Sequence, residues 1–553
     1  MPDRLKIALA QLNPTVGDIP GNLDKLRRAR AQAAQAGADL VVFTELFLTG
    51  YPPEDLVLKP ALQRAAMTAL NEVAAETADR GPAVIVGTPW LEDGKLYNAA
   101  ALLDRGEIAG LRHKVDLPNY GVFDEVRVFA PGPMPGPVNF RGVRLGLPVC
   151  EDIWTGQVAE CLEETGAELF IVINGSPWDQ RKYDVRLGHA VARVTESGLP
   201  LIYVNQFGGQ DELAFDGASF VLNGDRSMPV QLPAWEECVA MTEWRRGENG
   251  WVCEPAQRTP AAEDLEAAYL AVLTGLRDYI EKNRFPSVVI GLSGGIDSAL
   301  TAALAVDALG AERVQCFMLP SRFTSRESTE DAQACARALG VELGSLPIDD
   351  SVDTILHTLG HVFGNRPPDQ TEENIQARVR GLLLMAVSNK LGPMVLTTGN
   401  KSEMSVGYAT LYGDMNGGFN PLKDLYKTQV YALARWRNGH RPKGAKGPEG
   451  EVVPERIITK PPSAELRADQ KDQDTLPPYE VLDDILQCLV EEEMSVREVT
   501  ARGHDEKTVR RIEHMLYVAE YKRRQSAPGV KISHRHFGRD RRYPITNAFR
   551  DRP

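Results

Sequence analysis

Two groups of residues in this 553-residue sequence have the types and spacing to do covalent chemistry. In the second half, Val288-Val289-Ile290 runs into Gly291-Leu292-Ser293-Gly294-Gly295-Ile296-Asp297-Ser298, and residues 299–309 then read as a helix closed by Gly310. Such a strand–loop–helix corner offers backbone N–H groups and the positive end of a helix dipole to a phosphate. Gly294 and Gly295 let the anion approach the backbone, and Ser293 and Ser298 add hydroxyl donors. Asp297 would repel a phosphate unless Mg2+ lay between them. The loop has no lysine and no Gly-Lys-Ser/Thr ending, so it is not a Walker A loop.

In the first half, Glu45 follows Leu-Val-Val-Phe-Thr, Lys114 sits in Arg-His-Lys-Val-Asp-Leu-Pro, and Cys150 ends Leu-Gly-Leu-Pro-Val. Singly each has a plain reading: a strand-end cysteine is a small hydrophobe, and a loop Glu or Lys is solvated. Together they fit one reaction. A thiolate attacks a carboxamide carbon, a carboxylate moves the proton, and an ammonium holds charge on the tetrahedral oxygen.

Both groups need strands to position them. Strand-like runs occupy 5–12, 40–43, 83–87, 98–103, 143–149, 169–174, 201–205 and 218–222, with helices at 22–36, 62–78 and 157–165. This implies a layered α/β domain over 1–255. Residues 256–264, with two nearby prolines, read as a linker, and 265–553 as a second domain. There, strands at 313–319, 341–347 and 394–398 alternate with helices, predicting a doubly wound parallel sheet with its ligand at the strand carboxyl ends. Residues 435–454, rich in Arg, Lys, Gly and Pro, read as a mobile loop or lid.

The three first-half segments resemble the nitrilase superfamily, whose Glu–Lys–Cys triad lies in this order in an α-β-β-α sandwich. Glu125 matches a further acidic residue near that triad. The Ser-Gly-Gly-Ile-Asp-Ser loop resembles the ATP pyrophosphatase family, which adenylates a substrate oxygen and releases pyrophosphate. Together the chain is identified as similar to the glutamine-dependent NAD+ synthetases. That resemblance implies Tyr51, Tyr120, Ser176 and Lys182 in a glutamine pocket. It implies ATP contacts from Gly291, Leu292, Ser293, Gly294, Gly295, Ile296, Asp297, Ser298, Thr398 and Lys427, with Ser463 near the nucleotide. It places Asn374, Arg378, Glu403 and Lys522 on the substrate, deamido-NAD+, and Asp297 with Glu403 on Mg2+. Leu411 departs from the pattern, since shorter ammonia-using relatives carry lysine there. The family also implies a homo-oligomer, up to an octamer.

A formal charge of −14 argues against a nucleic-acid partner. Seven cysteines without paired Cys-x-x-Cys spacing favour a reducing cytoplasm and no structural zinc. No apolar run is long enough to span a membrane, and the first residues lack a signal peptide's pattern. Two other readings exist: an amidotransferase acting on a nucleotide base, and a non-catalytic nucleotide sensor. Intact motifs in both halves disfavour the sensor.

Overall fold

Along Arg4–Gln11 side chains alternate: Leu5, Ile7 and Leu9 enter one core, Ala8 and Ala10 another, as a strand's period of two requires. The computed structural model describes residues 3–262, 264–468 and 470–551. Glu263 of the expected linker lies outside these, as do Asp469 and residues 1–2 and 552–553 at the ends of the two expected domains. The chain divides into two units, Met1–Glu263 and Asp264–Pro553.

In the first unit a seven-stranded sheet runs in the order Gly250–Cys253, Cys238–Gly247, Arg4–Gln11, Leu40–Val42, Ala83–Glu92, Lys95–Asp104, Glu107–His113. A six-stranded sheet is ordered Val230–Gln231, Phe220–Leu222, Leu201–Asn205, Leu169–Asn174, Val143–Gly146, Val138–Phe140. Leu9, Val42 and Ile85 of the first share a core with Leu145, Ile171 and Val204 of the second. Truncating a leucine there costs ~2–5 kcal/mol, transfer and cavity terms together. Helices Ile19–Gln35 and Pro60–Glu76 cover one outer face, and Gln157–Glu164 and Lys182–Ser197 the other. The expected α-β-β-α sandwich is the fold.

A long helix and a long strand are among the elements not read from the sequence. The buried face of Lys182–Ser197 carries Arg186 and Arg193 beside Ala190 and Val194, which hides its apolar stripe. Arg186 is tolerated there because it pairs with Asp216 at 2.8 Å. Strand Cys238–Gly247 is mostly half-buried, with charged residues in its second half. At the joint, the Ala256 N–H donates to Pro229 O and the Thr259 N–H to Gln231 O, so these residues extend the first unit.

The second unit holds a four-stranded parallel sheet in the order Leu343–Ser345, Val314–Met318, Val288–Gly291, Met394–Leu396. Helix Ile296–Leu309 packs between the sheet and helices Asp264–Lys282 and Lys427–Gly439. Asp349–Phe363 and Gln370–Leu391 contribute to a core with Val289 and Val395. The order reverses between Val288–Gly291 and Met394–Leu396, so the loops leaving these strands flank the crevice where ligands of such sheets bind.

The expected mobile loop at 435–454 is corrected. Its first residues complete the helix Lys427–Gly439. Fully buried Arg437 grips Asp307 at 2.6 and 2.9 Å, and Asn438 Oδ1 accepts the N–H groups of buried Val452 and Val453, both at 2.9 Å. A buried ion pair and side-chain-to-backbone bonds anchor a stretch poor in apolar residues. Among the described residues, no helix is long and apolar enough to cross a membrane, and all seven cysteines are free.

Candidate active sites

In the first unit the three expected reactive residues follow strand ends. Glu45 lies beyond Leu40–Val42 and Lys114 directly after Glu107–His113. Cys150 follows Val149, which bridges to Ile173 in parallel. Its φ of 47° is left-handed, a conformation that costs a non-glycine residue of order 1 kcal/mol and turns a reactive side chain off the strand line. Glu45 and Lys114 are fully buried, and Cys150 is nearly so.

The Lys114 ammonium donates to Glu45 Oε1 at 2.7 Å and lies 2.9 Å from Glu125 Oε2. Glu45 also accepts from Asn98 Nδ2 at 2.7 Å and from the Gly175 N–H at 2.8 Å. Burial alone would lower the lysine's pKa, but Glu125 and Glu45 more than offset it and hold the ammonium well above its ordinary value. Burial, reinforced by the charge of Glu45, pushes the Cys150 thiol up, so the sulfur rests protonated. Such a group of side chains can supply a nucleophile, a base and an electrostatic stabiliser.

Glu125, raised by burial, also accepts from the buried Tyr51 hydroxyl at 2.8 Å. The half-exposed Tyr120 hydroxyl donates to Glu151 at 2.8 Å. The Ser176 N–H is held by Asn205 Oδ1 at 2.9 Å. Lys182 begins its helix with the ammonium 4.2 Å from the Trp154 ring centroid, a cation–π contact. Sequence reasoning missed Asn98, Gly175 and Asp152. The fully buried Asp152 accepts the N–H groups of Val149, Val115 and Asp116 at 2.9, 2.9 and 2.8 Å, tying the cysteine turn to the lysine segment. The only available signals were polar residues interrupting apolar runs.

In the second unit, residues 291–298 line a cavity of about 310 Å³ together with Thr398, Glu403, Lys427 and Ser463. Gly294 has φ +83°, and a Cβ there would stand 2.3 Å from the Ser328 carbonyl oxygen, so only glycine fits. The two loop serines brace the loop: Ser293 Oγ and Ser298 Oγ are 3.0 Å apart, and each also accepts a loop N–H. The first-turn N–H groups of Ile296–Leu309 lack intrahelical acceptors, as at any helix start.

Lys427 bonds Asp297 and lies 3.0 Å from Glu403. Asn400 organises both carboxylates, donating to Asp297 Oδ1 at 2.9 Å and accepting the Glu403 N–H at 3.0 Å. Its neighbour Lys401 is fully buried, donating to Glu491, to Ser533 Oγ at 2.6 Å and to Arg535 O at 2.7 Å, with Asp424 at 2.9 Å. Tyr479 joins Asp472 to the group, donating to it at 2.9 Å. Burial pushes Glu403 up to about 7 and raises Asp472, against the pull of Lys427. Lys427 thus lies between Asp297 and Glu403, with the charge of Asp472 also acting on it; among the described residues no three His, Cys, Asp or Glu side chains are grouped to hold a metal ion by themselves, so a hard cation here would draw its other ligands from phosphate and water.

Asn374, Arg378 and Lys522 do not line this cavity. Thr410 Oγ1 donates to Asn374 Oδ1 at 2.9 Å, Arg378 donates to Leu411 O at 3.2 Å, and Lys522 donates to Gly407 O and Ala409 O at 2.8 and 2.7 Å. All three hold the segment 407–411, whose Tyr408 and Ala409 do form cavity wall.

A family model described as carbon-nitrogen hydrolase matches residues 6–248, and one described as NAD synthase matches residues 269–526. The glutamine-dependent NAD(+) synthetase of Rhodobacter capsulatus is 53% identical over 552 residues, covering 100% of both chains. That of Thermotoga maritima is 44% identical over 99% of each. The structure of the glutamine-dependent NAD+ synthetase from Acinetobacter baumannii in complex with ADP has a TM-score of 0.78 at 42% identity, covering 100% of each chain. With likeness running the whole length and a matching domain at each site, the chain belongs to the glutamine-dependent NAD(+) synthetases, which are carbon–nitrogen ligases.

Proposed function

We propose that Cys150 cleaves the side-chain amide of glutamine and that the second unit spends the ammonia on deamido-NAD+, giving NAD+, AMP, pyrophosphate and glutamate. The observation that carries this reading is the Lys114 ammonium clamped between two buried carboxylates beside a buried cysteine. Glu45 takes the thiol proton as sulfur attacks, returns it to the departing ammonia, and then activates the water that frees glutamate. Lys114 stabilises the oxyanion. Tyr51, Tyr120, Ser176 and Lys182 orient glutamine, with Lys182 paired to its α-carboxylate.

In the second unit, residues 291–298, Thr398 and Lys427 hold ATP so that the nicotinate carboxylate of deamido-NAD+ attacks the α-phosphorus. The acyl-adenylate formed has AMP as its leaving group, and ammonia displaces it. Asp297 and Glu403 would hold Mg2+, which supplies positive charge against the phosphates when bound. Asn374, Arg378 and Lys522 keep segment 407–411 against the substrate. The enzyme works in the cytoplasm as a homo-oligomer, up to an octamer.

Mass spectrometry of products made from deamido-NAD+, ATP, Mg2+ and amide-15N glutamine tests this reading. It expects one 15N in the nicotinamide group. Unlabelled NAD+ would overturn it.

A further inference from the structure

The cavity of the second unit contains a further set of phosphate-type groups that the proposed chemistry leaves unused. Lys460 follows the helix Glu455–Thr459, and its ammonium meets Ser328 Oγ at 2.5 Å and lies 3.6 Å from Glu465. Glu465 Oε1 accepts from Ser325 Oγ and from Ser328 Oγ, both at 2.8 Å. Ser328, Lys460 and Glu465 line the same cavity as residues 291–298, and the Ser328 carbonyl is the atom that forbids a Cβ at Gly294. Glu465 has a φ of 48°, a left-handed conformation that costs energy in a side-chain-bearing residue.

Two hydroxyls and an ammonium therefore converge on one anionic group next to the phosphate loop, and the anion they hold is the protein's own carboxylate. We propose that Ser325, Ser328 and Lys460 form a subsite for a pyrophosphate group, and that Glu465 fills it as a displaceable counter-ion when no phosphate is bound. The inference rests on reading residues 291–298 as the nucleotide's phosphate loop. A polyphosphate brings more charge and more acceptor oxygens than a carboxylate, so it wins the exchange when present. The returning carboxylate then competes with the product for the same donors, which favours release. Lys460 is separate in this role from Lys427, whose partners are Asp297 and Glu403.

The test is ammonium-driven synthesis by the full chain with Mg2+, inhibited by inorganic pyrophosphate or by AMP. Glu465→Gln removes the competing charge and is expected to lower the pyrophosphate inhibition constant about tenfold, the size of one charge-assisted hydrogen bond. Lys460→Met is expected to raise it about tenfold. Inhibition by AMP, which lacks the terminal phosphates, should stay within about twofold in both. If the KM for ATP moves with the pyrophosphate constant, the subsite also takes the terminal phosphates of bound ATP; if pyrophosphate alone responds, it takes only the leaving group. The proposal is overturned if both variants leave pyrophosphate inhibition unchanged, or if Glu465→Gln weakens pyrophosphate as Lys460→Met does, because Glu465 would then only brace the lysine. A wild-type protein insensitive to pyrophosphate would instead sink the assignment of the phosphate loop, and this proposal with it.

Discussion

Lys114 and Lys427 are both buried ammonium groups between two carboxylates, yet they stand in opposite situations. Around Lys114 the protein satisfies the carboxylates with its own donors: Glu45 takes three N–H donors, and Glu125 takes the lysine and a tyrosine hydroxyl. Around Lys427 the donors are fewer: Asp297 takes the lysine and Asn400. Glu403's further partner is the Tyr479 hydroxyl at 3.5 Å, and its pKa is pushed up to about 7. On the proposed reading the first site meets a neutral amide, which brings no charge of its own. On the same reading the second meets ligands that carry charge in with them.

The largest expected effect isolates the first site. Cys150→Ala should reduce glutamine-driven NAD+ formation at least ~1000-fold, as loss of a nucleophile does, while ammonium salts still support synthesis. Loss of both activities in a folded protein would break the division between sites. Next, Lys427→Met should slow ammonium-driven synthesis ~100- to 1000-fold, the range for removing one preorganised stabilising group, with glutamine hydrolysis still measurable. Unchanged synthesis would show that this ammonium is not the counter-charge that the site needs. Asn98→Ala makes Glu45 resemble the under-donated Glu403, and kcat for glutamine should fall ~10- to 100-fold at similar KM, the worth of a hydrogen bond to a charged group. A change in KM alone would assign Asn98 to binding rather than to the base.

The smallest effect is a slope. Burial raises the Asp152 carboxyl from 3.8 to about 7, against the pull of its three backbone donors. Folding therefore takes up a proton across that window, so this residue makes the protein less stable as pH rises from about 4 to about 7. Denaturant midpoints across these pH values should show that slope in the wild type and a flatter one in Asp152→Asn. Parallel curves would mean that the carboxyl titrates normally.

The candidate reactive residues were legible because chemistry restricts their types and because each ends an apolar run. Their supports were not. Asn98, at the start of a strand run, looks like any polar residue at an element boundary until Glu45 is seen beside it. Helix Lys182–Ser197 was hidden by the arginines on its buried face, and Arg186 is acceptable there only because Asp216 arrives from a distant strand. Residues 435–454 read as loose since nothing local announces that Arg437 will find Asp307. What the sequence concealed was consistently a buried polar pair made across long separations. Such pairs leave no trace in hydrophobic periodicity.

Lys401 carries a consequence for how the protein is made. Asn400, which sets the carboxylates around Lys427, is followed by a lysine whose buried ammonium relies on Ser533 and Arg535. A ribosome must therefore have released nearly the whole polypeptide before the ATP-handling centre can take its final shape. A nascent or truncated chain stopping short of Ser533 would carry every residue of the sandwich while lacking two of the partners that hold this buried lysine.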